Sequence, residues 1–436
     1  LNQNLARFIN FFFPHLTDDA PLWRKVAKEL PIIIAIAFLT VLGETIGLFR
    51  ALETPALDAL IRVNPLTIQH TLVVDITDSD YKRFFNERSP LDADKLSEIL
   101  NAVSEAETSL IVVDIITADK TFKTLRSHNF HGRKILWAQD ANPILEQTSQ
   151  SDDAAKDSDV LKVEAVLGDP QTDPPETGIA VLWPDSDGVV RRYPRMVKTY
   201  SRDAFEGRNF AYKPTLPWRA IMDACEVPPS EEKEDIMFDF CSAPTHYPGE
   251  QASDIVDSLA KKKNQWLDIA KGQIVIVGGN FGASRDKYAT PLGMVDGDKL
   301  IALAIESYKQ KGPIKPPPEW VMFLSDICCG IIFTAFALML STPYLVALAL
   351  VAPLLGMIFS FYTFHAWSMW FTFIPVIVGI YLHLIYDHLR EHAKLLRELN
   401  EMKARTRHEK SSDDAPDDFL PDQSESDGEA TEEANS

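Results

Sequence analysis

The chain has 436 residues, 46% hydrophobic and 24% charged, with a formal net charge of -20. The last stretch, Ser411 to Ser436, holds ten acids and no Lys or Arg, and the rest of the chain offers no basic surface of the kind a nucleic-acid backbone requires. Nucleic acid is therefore excluded as a partner, and four cysteines are too few for a disulfide scaffold.

The first hydrophobic run spans about 31–49, begins Pro31-Ile-Ile-Ile-Ala-Ile, and carries Glu44 near its far end. At about 1.5 Å per residue it is long enough to cross the hydrocarbon of a bilayer, and no small-residue cleavage site follows it, so it reads as an uncleaved anchor. Residues 50–70 read as an amphipathic linker. The run Thr71-Leu-Val-Val-Asp-Ile-Thr-Asp is short, apolar and β-branched, which predicts a buried strand ending in carboxylates. Leu96, Ile99, Leu100 and Val103 then recur at helical spacing, and Ser109 to Thr117 predicts a second strand with Asp114 after its apolar part. Strand, helix and strand in about 45 residues form a βαβ unit with parallel strands. Gly132 to Ala138 and Gly272 to Gly279 predict further strands. The expected fold class is α/β, a mostly parallel sheet with helices on both faces, carried outside a membrane by four transmembrane helices.

Glu146 to Pro175 is polar and reads as a surface excursion, and Asp185 to Pro194 as a hairpin tip entering a strand. Three more hydrophobic spans follow at about 320–341, 343–363 and 367–386, with Asp326 near the outer end of the first. At that depth Asp326 and Glu44 either share a polar contact or are both simply hydrated at the interface. Arg24, Lys25 and Lys28 precede the first span, while Arg390, Lys394, Arg397, Lys403, Arg405, Arg407 and Lys410 follow the last. The positive-inside rule then sets both termini in the cytoplasm and residues 50–318 outside. The divisions are a segment 1–30, a span 31–49, an outer domain 50–318, spans over 319–387, a basic helix 388–410 and an acidic tail 411–436 expected to be disordered. The basic helix keeps Leu389, Leu395, Leu396 and Leu399 at helical positions, suited to a coiled coil in a homo-oligomer or to membrane lipids.

The order of several motifs carries a family resemblance. Leu72-Val-Val-Asp75, the turn Ser89-Pro-Leu-Asp92, Val112-Val-Asp114, Asp187-Gly-Val-Val-Arg-Arg192, Gly272 to Gly279 and Asp286-Lys-Tyr-Ala-Thr-Pro-Leu-Gly293 follow one another as in the type 2 CHASE domain. The chain resembles that extracellular sensory domain of bacterial membrane receptors over about residues 50–387, including its layout of one span before and three after. The resemblance implies a periplasmic domain anchored in the inner membrane, a ligand or protein bound there, and a signal-transduction role. Two departures stand out: Phe84 to Pro90 replaces a Trp-Pro-Trp-Pro-like stretch, and Ile301 stands where the family often has a histidine. Family members usually continue into an enzymatic output domain. Here about 50 residues follow the last span without one, so output through a cytoplasmic effector is expected.

Candidate ligand-binding residues are Asp75, Asp78 and Asp114 at strand ends, the turn around Gly279 and Asn280 with Asp286, Thr290, and Arg191 with Arg192. Carboxyl ends of parallel strands are where open α/β sheets bind ligands, clustered acids suit a cation, and paired arginines suit a carboxylate or phosphate. The same acids also cap helices and turns. The outer domain shows no HExxH, Gly-x-Ser-x-Gly or Cys-His spacing, so binding is expected rather than catalysis, and no cofactor is implied. Cys225 and Cys241 either close a loop of about 15 residues as a disulfide, worth roughly 3 kcal/mol, or are two buried thiols. Besides a sensor, a docking subunit of an envelope complex fits the sequence, and a hydrolase fits it less well.

Overall fold

The computed structural model describes residues 21–62, 68–117, 119–139, 141–143, 164–167, 176–200, 210–228, 236–238, 247–261, 265–284 and 286–413. The β-branched runs become strands and the periodic runs helices. In chain order the elements are α1 (Leu22–Thr45), α2 (Arg50–Arg62), β1 (Thr71–Thr77), α3 (Asp78–Phe85), α4 (Ala93–Glu105), β2 (Leu110–Asp114), α5 (Lys123–Arg126), β3 (Ile135–Gln139), β4 (Ala141–Pro143), β5 (Glu164–Leu167), β6 (Thr177–Ile179), β7 (Arg192–Tyr193), β8 (Met196–Tyr200) and β9 (Phe210–Pro214). There follow α6 (Leu216–Cys225), β10 (Ile236–Met237), β11 (Gly249–Gln251), α7 (Ala252–Ala260), α8 (Gln265–Ala270), β12 (Ile274–Asn280), β13 (Lys287–Thr290), β14 (Gly293–Asp296), α9 (Gly297–Lys311), α10 (Glu319–Met339), α11 (Thr342–Trp367) and α12 (Ile374–Asp413).

Six strands form the main sheet in the order β11-β1-β12-β2-β3-β6, every neighbouring pair parallel. Alternate residues of each strand face opposite sides. Val73, Val112, Leu136 and Ile276 pack against α2, α6 and α9, while Val74, Val113, Val275 and Val277 pack against α3, α4, α7 and α8. Covering both faces is what demands the near-continuous apolar strands seen in the sequence. Capping fixes the helix starts on the second face. Thr77 and Asp80 form a capping box at α3, and Asp92 accepts from the amides of Asp94 and Lys95 at α4.

The linker expected at 50–70 is instead a helix, α2, because Leu57, Leu60 and Ile61 share a buried face. Its end is tied to the β13–β14 turn by Arg62 Nε, which donates to Pro291 O at 2.9 Å. Glu306 of α9 is fully buried and accepts from the Gln69 amide at 3.0 Å, the His70 amide at 2.9 Å and Thr71 Oγ1 at 2.9 Å, locking the entry of β1 to α9. The polar stretch before Pro175 contributes β5 to a smaller sheet of order β4-β5-β8-β9. Its remaining residues lie outside the described ones. The tip expected near Asp185 is a turn, with the Gly188 amide bonded to Asp185 O, but the strand it enters, β7, pairs with β10.

Among the described residues three helices are long and apolar enough to cross a membrane: Leu22–Thr45, Glu319–Met339 and Pro343–Trp367. Thr40 Oγ1 of α1 donates to Asp326 Oδ2 of α10 at 2.8 Å, so Asp326 is bonded to Thr40 of the same helix that carries Glu44. The fourth expected span is not among these helices. Its first residues, Ser368 to Phe373, are irregular, and only Ile374 to Tyr386 precede the first acid, Asp387, giving an apolar helix of about 20 Å. The irregular segment lies against the end of the outer domain: the Trp370 amide donates to Lys315 O at 3.0 Å and Ser368 Oγ to Lys311 O at 2.8 Å. Gly379 of α12 faces Ile36 and Thr40 of α1. Residues from Tyr381 onward form a separate unit. Within it the basic run is helical to Asp413 with Leu389, Leu395, Leu396 and Leu399 exposed, and the acidic tail beyond lies outside the described residues.

Candidate ligand-binding site

The carboxyl edge of the central strands gathers the strand-end acids. Register aligns Asp75 of β1 with Gly278 of β12, and Gly278 with Asp114 of β2, so all three residues face the same side of the sheet. Gly278 leaves the middle position empty of side chain, and the Asp298 carboxyl from the first turn of α9 occupies it. A Cβ at Gly278 would lie 2.3 Å from the Asp298 Cβ. Asp75, Asp298 and Asp114 thus form a row. Gly297 plays the same part for Asp286, whose Oδ2 would stand 2.2 Å from a Cβ there.

Such a row is costly to ionise. Burial first, and then the charges of Asp75 and Asp114, hold the Asp298 carboxyl well above the usual range. Burial raises Asp75 as well, opposed by Lys299 and by a hydrogen bond with Asp298. Asp75 Oδ1 and Asp298 Oδ2 otherwise lack partners, and one proton shared by the two carboxyls accounts for both. Lys299 Nζ, 2.6 Å from Asp296 Oδ2 and 4.0 Å from Asp75 Oδ2, balances this end of the row. At the other end burial, with the neighbouring Asp286, pushes Asp114 up to about 8. Asp286 is raised by burial too, while a hydrogen bond from the Tyr288 phenol works the other way.

Asp114 and Asp286 open on a cleft of about 870 Å³. Other walls come from Tyr81 of α3, Leu91, Phe122, the turn after β12 and Ile301 of α9. Tyr81 and Phe281 stack with ring centroids 4.2 Å apart and planes 11° apart. Asp78 Oδ1 accepts from the Gly282 amide at 2.8 Å and so pins the glycine turn to α3.

Of the residues expected from sequence, Asp114, Gly279 and Asp286 line the cleft; Asp75, Asp78, Arg191, Arg192, Asn280 and Thr290 are not among its lining. Thr290 Oγ1 instead closes the β13–β14 turn by donating to Gly293 O at 2.7 Å. Arg191 is buried and spends its donors on Asp58, Asp185 and Asp187 at 2.6–3.1 Å, which leaves none for a ligand, and Arg192 Nε pairs with Asp185 at 2.9 Å. Cys225 carries a free thiol, and Cys241 lies outside the described residues. Among the described residues no group of three or more His, Cys, Asp or Glu is set to hold a metal ion. Sequence reasoning missed Asp298, Tyr288, Tyr81 and Asp119. The Gly297-Asp298 pair opening a helix just after a strand was the available signal for the first.

A family model, the CHASE2 domain, matches residues 32–340. The chain belongs to the CHASE2 domain family. No curated protein and no solved structure matches it. The matched range takes in most of α1, the whole α/β domain and α10, so the CHASE2 domain and its flanking apolar helices are one continuous unit of sequence. A CHASE2 sensory domain joined to helices of this kind fits a membrane-bound sensor. Ile301, at the position where the resemblance leads one to expect histidine, is on the cleft wall and makes it apolar there.

Proposed function

We propose that the CHASE2 domain is the periplasmic sensor of an inner-membrane protein, that it binds its ligand in the Asp114–Asp286 cleft, and that it signals through four crossings to a separate cytoplasmic partner. The observation that carries this reading is a cleft at the carboxyl ends of parallel strands, the general ligand position of open α/β sheets, walled by Asp114 and by Asp286, whose carboxyl sits over Gly297. Its described lining contains no His or Cys, which favours binding over nucleophilic catalysis. The fourth crossing is supported by the segment Ser368 to Phe373. It joins the membrane-side end of the outer domain, so the helix that starts at Ile374 sets off from the same side as α10.

A screen of small metabolites against the melting temperature of the full chain in lipid nanodiscs tests the site. Ala283 is exposed and lines the cleft, so Ala283→Trp sets an indole at its wall to obstruct it with little cost to folding. At least one compound should raise Tm for the wild-type chain and not for Ala283→Trp. Compounds that stabilise both equally, or a screen without hits, would reject the cleft and favour a docking subunit that takes no small ligand.

A further inference from the structure

The described lining of the cleft carries charge of one sign. Among its described lining residues Asp114, Asp119 and Asp286 are acidic and none is basic. Lys299 serves Asp75 and Asp296, whereas neither Asp114 nor Asp286 has a basic partner among the described residues. Yet Asp286 is not splayed into solvent. Its carboxyl is seated over Gly297, with Tyr288 beside it on the cleft wall. Two neighbouring acids with no basic partner among the described residues are drawn to their ionised form by a cation set between them, and in that form they repel an anion. A bare metal ion is disfavoured by the donor set, since no three ligands converge among the described residues. The same cavity carries the flat Tyr81–Phe281 stack and Phe122, and its volume suits a small organic molecule.

We propose that the cleft takes an organic amine, with the protonated nitrogen between Asp114 and Asp286 and an apolar or aromatic body on the Tyr81–Phe281 wall. This rests on the cleft being the ligand site and names the class of ligand. Cation and ring are recognised by different walls, so the two contributions separate in a matched series of compounds.

The test is binding of 2-phenylethylamine, 2-phenylethanol and phenylacetate to the full chain in nanodiscs at pH 7.5. The amine should bind at least tenfold more tightly than the alcohol, and phenylacetate should not bind. Asp286→Asn should remove that preference, and Ala283→Trp should abolish binding. Asp114→Asn is the second variant, should Asp286→Asn reduce the folded yield. Equal or stronger binding of the alcohol or of phenylacetate, lost in Ala283→Trp, would overturn the amine assignment and leave the cleft as a site. Failure of all three while a metabolite still binds in a cleft-dependent way would do the same. Amine binding that persists in Ala283→Trp would overturn the assignment together with the site.

Discussion

Asp114 ends β2 with a carboxyl that the fold keeps protonated near neutrality, and this has a stability consequence. Its folded pKa, about 8, lies above the usual value of 3.8, so between about pH 4 and 8 the folded state binds more protons at this group than the unfolded chain does. Stability from this group is therefore fully present below about pH 4 and is lost as pH rises through 8. Asp114→Asn keeps the shape and removes the titration. The variant should be more stable than wild type at pH 9 by about 1–2 kcal/mol, after discounting for water that reaches the carboxyl from the cleft, with a smaller gap at pH 5. Denaturant midpoints at the two pH values measure it; an equal change at both would mean that the carboxyl is ionised throughout. Gly278 and Gly297 each leave the space in which a carboxyl sits.

At the scale of elements, α2 is the piece that meets both the site hairpin and the first membrane helix. Arg62 holds it to the β13–β14 turn, and Arg191 holds Asp58 of α2 to the Asp185–Asp187 turn, which also joins the hairpin through the Val190 amide and Ala289 O at 2.8 Å. A ligand that moves Asp286 or Tyr288 would act on α2 through these bonds. Arg191 reaches three aspartates with a planar fork, which a single ammonium cannot do. Arg191→Lys should cost about 2 kcal/mol of domain stability, and Arg191→Ala more, because Asp58 and Asp187 then face each other without a cation. Thermal unfolding of the full chain reads this. A loss under about 0.5 kcal/mol for both variants would show that the cluster is merely solvated surface charge.

At the scale of the molecule, the question is which side each part occupies. The proposed four crossings would return both basic flanks to the cytoplasm, whereas three would part them. Alkaline phosphatase, active only outside the cytoplasm, should be active when fused after residue 228 and inactive when fused after residue 405. Activity after both would leave α12 uncrossed, and activity after residue 405 alone would invert the domain. The short apolar part of α12 is compatible with crossing only if its ends are tolerated at the interfaces; His383 and Asp387, 3.6 Å apart, would sit toward the inner one.

The sequence by itself determined the parts: β-branched runs closed by carboxylates became β1, β2, β3 and β12, leucines at helical spacing became α4, and the apolar lengths became α1, α10 and α11. These are near-neighbour properties, decided by steric preference and by solvent within a dozen residues. That Asp114 would stand at the carboxyl edge was also legible, from its place at a strand end, and Gly279 and Asp286 stood out through the glycine turn after β12. Only the tertiary structure decided that β12 enters between β1 and β2. That insertion sets Gly278 between two aspartates, calls Asp298 into the row, and brings separate strand-end acids side by side. Arg191 was misread for the same reason, since its chief partner Asp58 is 133 residues away in the chain. Which strand lies beside which depends on contacts between distant segments that bury both faces of the sheet together, and no local periodicity records them.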